Sequence, residues 1–146
     1  MSYMQKINKE DIIEIVNKLF VYTDNRAWDK LQNEVFADQV SFDMSSLGGQ
    51  KSLLTSKEIC DLWSDGFKGI DSVNHLAGNY IVNIHGDTAI VSAYATATHY
   101  KSSALNGKTR EFVGTYDIEL AFLENSWRIN KFKYNLKFVS GNMELT

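Results

Sequence analysis

Between residues 9 and 24 apolar side chains return at the spacing of one helix face: Ile12, Val16, Leu19, Phe20 and Thr23. Asn8 stands where an N-cap would accept a backbone N–H, and Glu10 and Asp11 suit the positive end of the helix dipole. A second helix is expected through residues 26–36, with Trp28, Leu31 and Val35 on one side, and residues 39–44 then read as a strand. Residues 45–54 read as a loop. Thr55 and Glu58 have the spacing of a capping box and open a third helix, whose core side is expected to carry Ile59, Leu62, Trp63 and Phe67.

From Asp71 onward the period changes to two. Residues 75–99 make two strand-like runs joined at His85-Gly86-Asp87, with a histidine at each outer end. Along the second run Ala89, Val91, Ala93, Ala95, Ala97 and His99 share one face, while Ile90, Ser92, Tyr94, Thr96, Thr98 and Tyr100 share the other. The alanines leave room either for a ligand or for a helix packed closely on the sheet. The register of this hairpin stays open. A two-residue loop at Gly86-Asp87 sets His75 opposite Thr98, facing away from His99; a three-residue loop or one bulge sets it across from His99 on the same face. Gly86 permits the positive φ that the bulged form needs.

In residues 110–123, Phe112, Gly114, Tyr116, Ile118, Leu120 and Phe122 alternate with Val113, Thr115, Asp117, Glu119 and Ala121, a half-buried strand with an acidic outer face. In the last run Trp127 and Ile129 are in one phase, and Phe132, Tyr134, Leu136 and Phe138 are in the other. A bulge or sharp twist near Asn130 is the expected cause. The order α-α-β-α-β-β-β-β implies an α+β domain. If the curved antiparallel sheet wraps around the N-terminal helices, it makes a cone enclosing a pocket, which Trp63, Phe112, Tyr116, Phe132 and Phe138 would line.

Composition narrows the functional classes. The chain has 146 residues, 44% hydrophobic, with a net charge of −3. It is expected to form a single domain, residues 1–146, with no basic footprint for nucleic acid. The first residues contain no apolar run of membrane or signal-peptide length, so no membrane partner is expected. The lone cysteine, Cys60, excludes an internal disulfide, fits a reducing cytoplasm, and falls at a buried helix position. Three isolated histidines make a metal site improbable, His85 reads as hairpin surface, and no glycine-rich phosphate loop is present. No cofactor is expected. Asp24, at the flank of the first helix face, either caps the following turn or points inward and needs a partner.

The segments YTDNRAWDKLQNEVFADQVSFD, VNHLAGNYIVNIHGDTAIVSAYATATHY and NSWRINKF together resemble the SnoaL-like branch of the nuclear transport factor two-like superfamily, and within it scytalone dehydratase. The resemblance implies a cone-shaped fold, self-association as a homodimer or homotrimer, and a functional aspartate and two histidines at Asp24, His75 and His99. It implies the bulged register, with both histidines facing the cavity. It also implies that His75 serves as acid and base in eliminating water from an apolar hydroxy-carbonyl compound, while Asp24 pairs with His99 and favours its charged form. Two tyrosines that in the dehydratase hold a carbonyl-polarising water fall on Thr23 and Met44, and a pocket serine and asparagine fall near Gly114 and Tyr116. The oxyanion-stabilising half of the site is therefore absent or rebuilt, around Tyr116 or Tyr22. The expected function is a dehydratase-like lyase or isomerase on a small apolar substrate other than scytalone, bound by Tyr22, Met44, Trp63, Phe112, Tyr116 and Phe138. The alternative is a non-catalytic small-molecule binding protein or dimeric scaffold of the same fold.

Overall fold

The computed structural model describes residues 8–146. The leading residues, in which no signal-like run is expected, lie outside the described ones. Helix α1 spans Lys9–Asp24 and buries Ile12, Val16, Leu19, Phe20 and Thr23, the face that the sequence period marks. It starts where the Asn8 side chain accepts the Glu10 N–H at 2.9 Å. It stops at Asn25, beyond which Arg26 takes a left-handed φ of 55° that breaks the helical path.

The expected second helix is shorter than its sequence span and mostly wider than an α-helix. A single turn, α2 (Trp28–Lys30), runs into a π-helical turn over Leu31–Val35, and Phe36 already opens strand β1, Phe36–Asp43. A 3₁₀ turn at Ser45–Leu47 follows, then strand β2 over Lys51–Thr55, where the sequence reads as loop. Polar and glycine-rich neighbours hide β2, whose side chains are mostly exposed. Helix α3, Ser56–Gly66, begins with the expected capping box: Thr55 Oγ1 accepts the Glu58 N–H, and Glu58 returns a carboxylate to the Thr55 N–H. Ile59 and Cys60 are buried, whereas Leu62, expected in the core, is 53% exposed. Burial pushes the Cys60 thiol up to about 11, so it stays protonated.

Four long strands complete the chain: β3 (Ser72–His85), β4 (Thr88–Tyr100), β5 (Thr109–Leu123) and β6 (Ser126–Gly141). They form one six-stranded sheet in the order β2-β1-β6-β5-β4-β3. All neighbours are antiparallel except β1 and β6, which run parallel. The expected α+β architecture is thus present, with a mixed sheet, and β2 and β3 remain as its edges. The concave face carries α1 and a continuous core that includes Phe36, Val40, Ile118, Leu120, Trp127 and Ile129.

Three of the sheet's register shifts, in the long antiparallel strands, set which side chains face that core. Asn130 is passed over between the pairs Glu119↔Lys131 and Leu120↔Ile129, as the phase change around it predicts. A second, unforeseen bulge passes over Lys137, between Gly114↔Leu136 and Val113↔Phe138. It reverses the phase of the strand end and turns Phe138 outward, 57% exposed, so Phe138 is not a pocket residue. The third lies in β3 at Asn79-Tyr80, where Asn79 adopts a φ of 54°.

Candidate functional site

The hairpin register decides what the two histidines can share. Its loop is the two-residue Gly86-Asp87 form, with His85↔Thr88 paired and Gly86 at a φ of 61°. The bulge in β3 then shifts the register, so His75 lies across from Ala97 and His99 across from Val73. The two histidines share a face, as the resemblance implies. They are diagonal neighbours rather than directly opposed, because the extra residue sits in β3 and moves the register in the other direction.

A cavity of about 160 Å³ opens between the end of α1, α3 and the concave sheet. His75 and His99 line it, together with Thr23, Met44, Trp63, Phe112 and Tyr116. Leu19, Phe20, Leu47, Phe67, Ala97, Phe132 and Tyr134 complete its wall. The alanine stripe of β4 is divided between the core and the cavity. Ala89 and Ala95 are packed into the core, whereas Ala97 faces the cavity. Tyr22, expected as a binding residue, is turned away: its hydroxyl donates to Glu34 Oε1 at 3.1 Å and Lys30 lies over its ring. Thr23, the next helix position about 100° round, takes the cavity side instead.

Asp24 pairs with His75, not with His99. Its Oδ1 lies 2.6 Å from His75 Nδ1, and its Oδ2 accepts the His75 backbone N–H at 2.8 Å. β3 is an edge strand, so that N–H would otherwise lack a sheet partner, and the carboxylate at the end of α1 takes its place. An ionised carboxylate only accepts, so Nδ1 carries a proton, and in the neutral imidazole Nε2 then keeps its lone pair. The pair is largely withdrawn from solvent, with side-chain exposures of 10% for His75 and 17% for Asp24. Phe20 packs on the imidazole with ring centres 5.4 Å apart.

His99 has different surroundings. Its ring lies between Phe67 and Phe112, with centroid distances of 5.6 and 5.4 Å. Its Nδ1 accepts a hydrogen bond from Arg110 Nε at 3.0 Å. Burial lowers its pKa to about 4, the Arg110 and His75 charges act in the same direction, and Asp24 opposes them. The expectation of a charged His99 is thereby corrected, since its nearest charged partner is a cation. The unfolded chain, where histidine titrates near about 6.5, binds this proton more tightly, so stability is complete above that pH and falls from there toward pH 4. Asp43, Glu58 and Asp71 are held below ordinary carboxylate values by their hydrogen bonds to Ser45, Thr55 and Ser102, so their losses begin at lower pH. Urea unfolding at pH 7 and pH 5 should therefore differ by about 1–2 kcal/mol in the parent protein and by less in His99→Gln. Equal losses in the two proteins would rule out His99 as the source.

Burial also raises the Tyr116 phenol, which stays neutral at the back of the cavity. The Tyr134 hydroxyl is buried there with no hydrogen-bond partner. Among the described residues no group of three His, Cys, Asp or Glu side chains is placed to hold a metal ion. No described helix is long and apolar enough to cross a membrane.

A curved sheet folded over a helix, with an apolar pocket between them, is the architecture of the nuclear transport factor two-like fold. The chain matches the SnoaL-like domain over residues 7–133 and belongs to that family. No curated protein matches it. Among solved structures, the Kfla4162 protein from Kribbella flavida superposes with a TM-score of 0.88 at 21% identity, covering 97% of each chain. A candidate scytalone dehydratase from Novosphingobium aromaticivorans gives 0.77 at 12% identity, over 97% of this chain and 92% of that one. The hexachlorocyclohexane dehydrochlorinase LinA-type3 from Novosphingobium barchaimii gives 0.77 at 11% identity, over 92% and 89%. At such identities the likeness is one of fold.

Proposed function

We propose that this protein is a lyase or isomerase of the dehydratase kind, in which His75 is the general base and Asp24 holds it in its working tautomer. The observation that carries the reading is the pair of hydrogen bonds that Asp24 accepts from His75, whose ring lines an apolar cavity. With Nδ1 tied back to the carboxylate, Nε2 is the nitrogen free to take a proton from carbon next to a carbonyl. The C–H electron pair moves into the new C–C double bond, the β-hydroxyl departs, and the imidazolium returns the proton to it as water. Asp24 stabilises the imidazolium between these steps. General acid-base help of this kind is worth roughly a hundredfold to ten-thousandfold in rate. The dehydratase and dehydrochlorinase among the fold's relatives support an elimination, and the cavity limits its substrate. A volume of about 160 Å³ resembles that of an engineered apolar cavity that holds benzene, roughly 150 Å³. The substrate class is thus a single-ring or similarly small apolar hydroxy-carbonyl compound.

The test is a panel of single-ring β-hydroxy ketones incubated with the protein in D₂O, followed for loss of water and for deuterium uptake beside the carbonyl. Turnover is expected, and His75→Ala should lower it by at least a hundredfold. Ligand binding with neither exchange nor elimination would make the protein a non-catalytic binder.

A further inference from the structure

Arg110 belongs to no part of the expected site, yet it holds one of its two histidines. It does not line the cavity. It lies behind His99 on the neighbouring strand, where His99 and Arg110 are paired residues of β4 and β5. Its Nε donates to His99 Nδ1, its Nη1 donates to the Met143 carbonyl at 2.7 Å, and the guanidinium lies 5.7 Å from the centre of the Phe112 ring. The chain segment that supplies Met143 is itself fastened: Leu145 is buried beside Ile70 and Val73, and the Thr146 carbonyl accepts from Leu105, Asn106 and Asn142. The guanidinium is therefore held from two sides.

A guanidinium in a protein donates and never accepts. The nitrogen it faces must therefore carry a lone pair, so His99 is neutral at Nδ1 and protonated at Nε2. An imidazole so fixed cannot act as a base through Nδ1, and a fixed cation behind it strengthens Nε2–H as a donor. A neutral imidazole used as an electrophile toward a carbonyl oxygen is a known solution to this chemical problem.

We propose that Arg110 is a positioning residue that locks His99 as a neutral Nε2–H donor, and that this pair polarises the carbonyl oxygen of the bound substrate. Thr23 and Met44 leave that role unfilled where the resembling dehydratase has two tyrosines, and Tyr22 is turned out of the cavity. The assignment rests on the elimination proposed above and completes it. As His75 removes the proton, charge grows on the carbonyl oxygen, and His99 holds that oxygen by a hydrogen bond without giving up its proton. Besides Arg110, the charged or titratable groups that bear on His99 are His75 and Asp24 from β3 and α1, with Glu144 acting on Arg110 itself.

The test reads the imidazole nitrogens of the ¹⁵N-labelled full-length protein by long-range ¹H–¹⁵N correlation between pH 5.5 and 8, alone and with excess ¹³C-carbonyl cyclohexanone. His99 is expected to show a protonated Nε2 and a bare Nδ1 across the whole range, and to respond to cyclohexanone at Nε2 while the ketone carbon moves downfield. In Arg110→Met the Nδ1–H tautomer should appear, the titration midpoint should rise, and the carbonyl shift should shrink; Arg110→Lys should restore the carbonyl shift in part. An Nδ1–H tautomer in the parent protein would overturn the assignment without any variant having to fold. So would a His99 signal or carbonyl shift indifferent to Arg110→Met, or a His99 indifferent to excess ketone. The locked tautomer and polarised carbonyl, found in a protein that eliminates nothing from the hydroxy ketones, would instead end the lyase reading and leave the pair as a ligand anchor.

Discussion

Asp24→Asn is expected to slow deuterium uptake from D₂O into a bound ring ketone by roughly a hundredfold to ten-thousandfold. The carboxylate accepts both the Nδ1–H and the backbone N–H of His75. An asparagine has one carbonyl oxygen and presents N–H groups on its other side, so one of the two donors must lose its partner. If the ring loses it, nothing fixes the tautomer in which Nε2 is bare. If the backbone loses it, an edge-strand N–H is left unsatisfied at a cost of about 1–3 kcal/mol. The exchange rate should fall while the histidine nitrogens show a mixed tautomer at His75. Tyr22→Phe, whose lost hydroxyl meets Glu34 outside the cavity, should leave the rate where it was. An Asp24→Asn protein that is folded and exchanges at the parent rate would remove Asp24 from the mechanism.

The largest loss of stability is expected from Gly114→Ala. Gly114 lies on β5 opposite Leu136, beside the bulge at Lys137. A Cβ there would run into the backbone carbonyl oxygen of Asn135, and would lie 2.6 Å from Tyr134 Oη and 2.7 Å from Tyr134 Cζ. The carbonyl is main chain and cannot swing clear, and the buried tyrosine gives way only by moving into the cavity it lines. Overpacking of this kind typically costs about 1–3 kcal/mol, and pressure on the backbone places this case at or above the upper end. Chemical unfolding of Gly114→Ala and of the Gly114→Ala, Tyr134→Phe double variant separates the two clashes. The second change removes the hydroxyl that lacks a hydrogen-bond partner, so it should recover part of the loss while the contacts with Cζ and the carbonyl persist. A Gly114→Ala protein as stable as the parent would show that β5 and β6 can part without cost at this bulge.

The close approach at Gly114 also explains the wall of the cavity. With no side chain at that position, the Tyr134 ring lies across the strand and joins Tyr116, 4.8 Å away between centroids, behind the two histidines. Sequence reasoning put Gly114 on the inward face of its strand, near a pocket position of the resembling dehydratase, but it missed Tyr134 and Phe67 as pocket residues. Phe67 follows the last turn of α3 and packs on both Trp28 and His99, contacts that cross three elements. The available signal was the aromatic content of the last strand. It named Phe132 correctly and Phe138 wrongly, because one inserted residue at Lys137 separates the two faces.

By itself the sequence determined the elements that local chemistry specifies. The Asn8 cap and the buried stripe of α1, the Thr55–Glu58 box, the alanine face of β4 and the bulge at Asn130 all follow from interactions a few residues long, or from a period that side-chain geometry imposes. It also offered Asp24, His75 and His99 as candidates, the three positions that the family resemblance marks. The tertiary structure alone decided which of them meet. That Asp24 satisfies His75 and Arg110 satisfies His99 depends on an edge strand needing an acceptor, and on a bulge at Asn79-Tyr80 that sets the register of β3 on β4. Pairing across strands is fixed by the summed packing of the whole sheet against α1. One extra residue far from either histidine therefore changes every partner beyond it.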